Sequence, residues 1–185
     1  MLSCPAMAKD VLTAVRGAPE LSLDVSELLR RPGSTRTLVF ARAVDGLALP
    51  LARVKDGSEL AFDLRLESLV DGIHVRGTVA GELDEQCRRC LRAFDAPIAV
   101  DLDGLFEGGG EGDSYPIVSG GIDLEAAVRD AVVLALPLHP LCREDCAGLC
   151  PTCGADRNTG DCGHHDEHED VRWEALARLR ERLEE

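Results

Sequence analysis

Between residues 59 and 84 apolar and polar side chains alternate. Leu60, Phe62, Leu64 and Leu66 fall on one side of a period-two pattern, and Arg65 and Glu67 on the other. That periodicity predicts a half-buried strand. Asp71-Gly72 is a tight-turn dipeptide, and Ile73, Val75, Gly77 and Val79 carry the alternation into a second strand. Residues 35–43 and 94–102 read as further strands, the first ended by a Gly/Pro break over 46–50. Residues 20–31 predict a short strand running into a short helix, with Asp24 or Ser26 as its cap and Pro32-Gly33 as its stop. The period becomes helical after Asp123: Leu124, Val128, Ala131, Val132 and Ala135 share a face, and Pro137 ends the run. A last amphipathic helix is predicted over 170–184, with Val171, Leu176, Leu179 and Leu183 near one stripe and Trp173 beside it. The glycine-rich stretch 106–121 has no GK[ST] ending and no preceding parallel strand, so it reads as a surface loop rather than a phosphate cradle.

These elements predict an α+β fold: an antiparallel sheet, at its most curled a partial barrel, with a helix packed on it and a metal-stapled, cysteine-rich C-terminal segment. Residues 1–19 carry no predicted element and read as a disordered N-terminus. Residues 20–141 form the body, with Cys87–Cys90 at a hairpin tip, 142–169 the cysteine-rich, zinc-binding segment and 170–185 the final amphipathic helix.

Composition narrows the function classes. Of 185 residues, 45% are hydrophobic but only 3% aromatic, so the core is built of Val, Leu, Ala and Ile. No apolar run approaches the roughly 20 residues of a membrane span, and the first twenty residues show no secretory apolar region. A cytoplasmic location, where thiols stay reduced, is the expectation, with no membrane partner. The net charge of −14 repels nucleic acid at long range. The charge is uneven, however. Residues 30–55 hold Arg30, Arg31, Arg36, Arg42, Arg53 and Lys55 against Asp45 alone, whereas residues 101–125 hold seven acids and no base.

The chemistry sits in the cysteines. Of eight, only Cys4 stands apart. The rest form Cys87-x2-Cys90, Cys142-x3-Cys146-x3-Cys150-x2-Cys153 and Cys162-x-His164, a set of eight soft ligands. That number suffices for one or two tetrahedral zinc sites, and CxxC turns let two thiolates converge on one ion. In a nested arrangement Cys87, Cys90, Cys142 and Cys146 form one site and Cys150, Cys153, Cys162 and His164 the other. The competing arrangement pairs Cys87 and Cys90 with Cys150 and Cys153. Loop closure favours the nested version. His165 and His168 are alternatives to His164, and His139 is a weaker substitute. A thioredoxin-type role for Cys87–Cys90 lacks the strand-to-helix setting, and the 164–168 stretch His-His-Asp-Glu-His lacks HExxH spacing. No nucleophile–base constellation is visible, so neither an enzyme nor a small-molecule substrate is expected.

Several stretches carry a family likeness. They are Leu-Leu-Arg-Arg-Pro-Gly-Ser (28–34), Leu-Glu-Ser-Leu-Val-Asp-Gly (66–72), Cys-Arg-Arg-Cys-Leu (87–91), Ile-Asp-Leu-Glu (122–125) and Leu-Ala-Leu-Pro-Leu-His-Pro-Leu-Cys (134–142). The longest is Asp-Cys-Ala-Gly-Leu-Cys-Pro-Thr-Cys-Gly-Ala-Asp-Arg-Asn (145–158). In these the chain resembles the YceD-type large ribosomal RNA subunit accumulation proteins of bacteria and plastids. It departs from them at Cys162-Gly163-His164, where the family often has Cys-x-Cys, and at Val171-Arg172-Trp173 in place of Asp-Pro-Arg. The resemblance implies a non-catalytic factor in making or stabilising large-subunit ribosomal RNA, with that RNA or a ribosomal protein in a precursor particle as partner. It names no contact residues. Physically, Arg88, Arg89 and Arg92 around the first cysteine pair, and Arg30, Arg31 and Arg36, are the candidates, because clustered guanidinium groups bind phosphates bidentately. The rival readings are a zinc-dependent, protein-binding adaptor in transcription or quality control, and a redox- or metal-responsive regulator.

Overall fold

The computed structural model describes residues 21–109 and 112–164. Over these residues the chain forms two compact units, one of 21–85 with 94–138 and one of 86–93 with 139–164. The predicted helix over 170–184 lies outside the described residues.

The first unit is a sheet with two helices. In chain order its elements are β1 (Ser22–Asp24), α1 (Ser26–Leu29), β2 (Thr35–Arg42), β3 (Ala52–Val54), β4 (Leu60–Ser68), β5 (Gly72–Gln86), β6 (Ala93–Glu107), β7 (Tyr115–Val118), β8 (Gly121–Asp123) and α2 (Glu125–Ala135). The strands neighbour one another in the order β1-β8-β7-β6-β5-β4-β2, and β3 also pairs with β5. β4 covers Ile73 to Ala80 of β5, and β3 takes over further along, opposite Leu83 to Glu85. The hydrogen-bonded path does not close into a barrel among the described residues.

Burial follows the sequence period most closely in β4. Leu60, Phe62, Leu64 and Leu66 point inward, and Ala61, Asp63, Arg65 and Glu67 outward. Phe40 of β2 lies opposite Phe62, with the rings stacked at 4.7 Å between centroids. Such cross-strand aromatic pairs are the units that hold a register in place. Gly77 occupies an inward position where any Cβ would collide with the Asp63 carbonyl, so that position must be glycine. α2 closes one side of the core through Leu124, Ala127, Val128, Val132 and Leu136, which join the strand side chains in one apolar cluster. Ala127 replaces the expected Ala135, which is exposed.

Four expectations need correction. The α component is smaller than an α+β reading implies: among the described residues helix is limited to α1 and α2, and the unit is mostly sheet. The sheet is not wholly antiparallel, because β6 and β7 pair in parallel at Phe106–Tyr115 and Glu107–Pro116. Part of the predicted glycine-rich loop is strand instead. β6 runs on to Glu107, and β7 and β8 form a hairpin closed by Ser119-Gly120. Both turn residues have positive φ, as a two-residue type I′ turn requires. The helix caps also differ. Asp24 accepts the Ser26 N–H and Asp123 the Glu125 N–H, each at 2.9 Å, two residues on rather than from an N-cap position.

Candidate metal centres

The second unit has almost no regular structure, and its interior is unusual. Its buried residues are Cys87, Cys90, Cys146 and Cys150, with Pro140 and Gly148, and none of its leucines is buried. Sulfur occupies the place that aliphatic side chains fill in the sheet unit.

The first cluster joins two distant pieces of chain. Cys87 and Cys90 stand in the turn between β5 and β6, and Cys142 and Cys146 follow α2 in sequence. Cys87 Sγ lies 3.7 Å from Cys146 Sγ, and Cys90 Sγ 3.7 Å from Cys142 Sγ. All four sulfurs lie within 4.8 Å of one another. Backbone bonds lock the pieces together: Arg88 N–H donates to the Pro140 carbonyl at 3.0 Å and Leu149 N–H to the Arg89 carbonyl at 3.2 Å. The turn itself is closed by Cys87 N–H donating to the Arg92 carbonyl at 2.9 Å.

The second cluster is local. Cys150, Cys153, Cys162 and His164 bring one ligand atom each within the same 4.8 Å limit. Cys150 N–H donates to the Ala155 carbonyl at 2.8 Å, and a bridge pairs Leu149 with Asp156. Asp161 Oδ1 accepts the Gly163 N–H at 2.9 Å and so shapes the turn that presents His164. The structure thus brings these side chains together in the two groups of the nested arrangement, each of which could hold a metal ion. His139 belongs to neither cluster, and His165 and His168 lie outside the described residues.

The thiols are not equivalent. Burial raises the Cys87 thiol, but backbone N–H groups of Cys142, Cys90 and Arg89 outweigh it and bring the pKa to about 6. At Cys150 the backbone N–H groups of Cys153 and Thr152 do the same, again to about 6. Cys142 goes the other way, to about 12, through burial and the neighbouring thiols. Peptide dipoles thus favour the thiolates of Cys87 and Cys150 before any cation arrives, and Cys146 is also lowered, against its burial, by the Gly148 N–H and Asn158, while further thiolates in the same space repel one another. That is the electrostatic situation a bound cation relieves.

A residue that spacing arguments passed over organises both loops. Asn158 Oδ1 accepts from Arg143 Nη2 at 2.6 Å and from Ala147 N–H at 2.9 Å. Its Nδ2 donates to Cys146 Sγ at 3.5 Å and to Asp156 Oδ1 at 2.6 Å. The only hint in the sequence is its place at the end of the 145–158 stretch. Asp156 is held below the usual carboxylate range first by the Asn158 backbone N–H, and it also faces Arg92 at 3.2 Å.

The candidate arginines fall into separate circumstances. Arg89 is turned to an internal use, its Nη1 donating to the Cys146 carbonyl at 2.9 Å. Arg92 is exposed and paired with Asp156, and Arg88 is exposed with no side-chain partner among the described residues. Arg30, Arg31 and Arg36 are exposed in the sheet unit, where Arg36 and Arg30 add to the lowering of Asp24 that the Ser26 N–H dominates.

A family-wide profile described as "Large ribosomal RNA subunit accumulation protein YceD" matches residues 75–180, which takes in every cysteine of both clusters. The chain belongs to the YceD family. A protein of Mycobacterium tuberculosis, named only as uncharacterized, is 36% identical over 171 residues, covering 88% of this chain and 82% of its own length. An uncharacterized protein of Mycobacterium leprae is 35% identical over 83% of this chain and 74% of its own length. A chloroplastic "Large ribosomal RNA subunit accumulation protein YCED homolog 1" of Zea mays is 40% identical over 84 residues, 45% of this chain and 26% of its own length. No solved structure matches the chain significantly. No helix among the described residues is long and apolar enough to cross a membrane.

Proposed function

We propose that this protein is a non-catalytic factor that supports the accumulation of large-subunit ribosomal RNA, and that two structural zinc ions hold its cysteine-rich unit in shape. The observation that carries the functional part is membership of a family described by that role. The metal part rests on donor chemistry. Four thiolates, or three with an imidazole, suit zinc better than harder cations. A tetrahedral site with Zn–S bonds of about 2.3 Å requires sulfurs about 3.8 Å apart, close to the 3.7 Å seen across the first cluster. With all four positions supplied by protein, such a site has no open coordination position for a substrate and acts as a scaffold.

In this reading Cys87, Cys90, Cys142 and Cys146 hold one zinc, and Cys150, Cys153, Cys162 and His164 the other. The exposed Arg88 and Arg92 meet the RNA or a ribosomal protein of a precursor particle, and Arg30, Arg31 and Arg36 offer a second basic patch. The work is done where ribosomes are assembled, in the cytoplasm.

The test is depletion in the native host, followed by the ratio of large- to small-subunit ribosomal RNA and by sedimentation of the tagged protein at low magnesium. The expected result is a fall in that ratio with co-migration of the protein with large-subunit precursors. An unchanged ratio with the protein only in the free fraction sinks the reading. Co-purification with a polymerase or a protease instead selects the adaptor reading, and thiols that stay reactive in the zinc-loaded protein select the regulator.

A further inference from the structure

The two cysteine turns are built alike, and the difference between them singles out Leu91. In Cys150-Pro151-Thr152-Cys153-Gly154, the Gly154 N–H donates to the Cys150 carbonyl at 2.8 Å and Gly154 sits at φ +73°. In Cys87-Arg88-Arg89-Cys90-Leu91, the Leu91 N–H donates to the Cys87 carbonyl at 2.9 Å and Leu91 sits at φ +60°. The position after the second cysteine is left-handed in both, a conformation that glycine adopts freely and a leucine Cβ opposes.

Among the described residues the other non-glycine at positive φ is Ser119, which a two-residue hairpin turn explains. The Cys87–Arg92 turn imposes the left-handed conformation on position 91, but it does not account for a leucine there, where the matching turn has Gly154. Nor does burial compensate, because the residue is 53% exposed. Its carbonyl accepts from Gln86 Nε2 at 3.1 Å, which braces the turn further. A strained aliphatic residue is therefore held in solvent in a clamped turn, beside Arg88, whose side chain has no partner among the described residues. Strain of this kind, kept where a better-suited residue exists, points to a contact made elsewhere.

We propose that Leu91 is the stud of a protein-docking tip: it seats in an apolar pocket of a partner protein whose rim presents carboxylates to Arg88. Two observations favour protein over RNA as the occupant. The stud is aliphatic and the tip, residues 86–93, carries no aromatic ring, whereas unstacked bases are gripped chiefly by aromatic faces. The chain's charge of −14 also opposes approach to a polyphosphate. That the partner belongs to a large-subunit precursor rests on the function proposed above; the docking itself does not.

The test uses the full-length, zinc-loaded protein. Leu91→Gly installs the residue the turn prefers, so zinc content should stay unchanged and the melting temperature equal or higher. A diazirine analogue of leucine at position 91, photolysed in cells, should give a nuclease-resistant adduct with one protein, and Arg88→Glu should reduce its yield at least tenfold. That protein, identified and purified, should bind the wild type at least tenfold more tightly than Leu91→Gly, with Leu91→Met recovering most of the difference. A nuclease-sensitive adduct, no adduct, equal affinity of the Gly variant, or loss of zinc from it would each overturn the proposal. An adduct with a protein absent from large-subunit precursors would leave the docking standing and count against the proposed function.

Discussion

Asn158 shows how much a single uncharged side chain does in a unit without an aliphatic core. It touches the Cys146 sulfur, a backbone N–H, a guanidinium and a carboxylate at once. Groups that orient metal ligands in this way typically change metal affinity by about 10–100-fold when removed. We therefore expect Asn158→Ala to weaken zinc binding by that order in a competition titration with a chromogenic chelator. A direct ligand should behave differently: Cys90→Ser should lower the zinc content by about one ion per chain, measured by elemental analysis of the purified protein. Full zinc content in that variant would remove Cys90 from the ligand set. In the sheet unit Gly77→Ala forces a Cβ into the Asp63 carbonyl. The expected loss is about 2–3 kcal/mol, as for overpacked sites, read from chemical denaturation.

At the scale of elements, legibility depended on whether one face of a segment is buried. β4 and the first half of β5 were readable because water contacts only their outer side chains, so burial imposes a strict period of two. β6 was found but cut short. Its early residues alternate only between exposed and half-buried, and its buried positions, Leu102, Gly104 and Phe106, come late, among Asp101, Asp103 and glycine. β3, β7 and β8 have 3 or 4 residues each and were missed, because so few positions carry no measurable period. Their positions are set by partners distant in sequence, such as Glu85 opposite Ala52 and Asp123 opposite Ser22.

On the scale of the whole molecule, the two units draw stability from different sources. The sheet unit has a continuous apolar cluster, while the cysteine unit buries sulfur. Chelation should therefore act selectively. With a strong zinc chelator at neutral pH, amide protection over residues 139–164 should collapse while that of 60–68 and 73–80 persists, as followed by hydrogen exchange. Loss of protection in both at the same chelator concentration would mean that the metals support the sheet as well. Equal protection with and without chelator would remove the scaffold role.

The sequence by itself determined the alternating strands, most of the core face of α2, and the presence of seven thiols and an imidazole, four of the thiols in two CxxC turns. These are local properties, written in the spacing of neighbouring residues. It left two ligand groupings open, because spacing does not say which distant thiols meet. The tertiary structure brings Cys87 and Cys90 to Cys142 and Cys146, across separations of 59 and 52 residues, which is the proximity that the nested grouping needs. It also decided that Asn158 faces a sulfur and that Leu91, not glycine, holds a left-handed turn in solvent. Contacts of that kind depend on where whole elements carry the chain, and no pattern of nearest neighbours contains them.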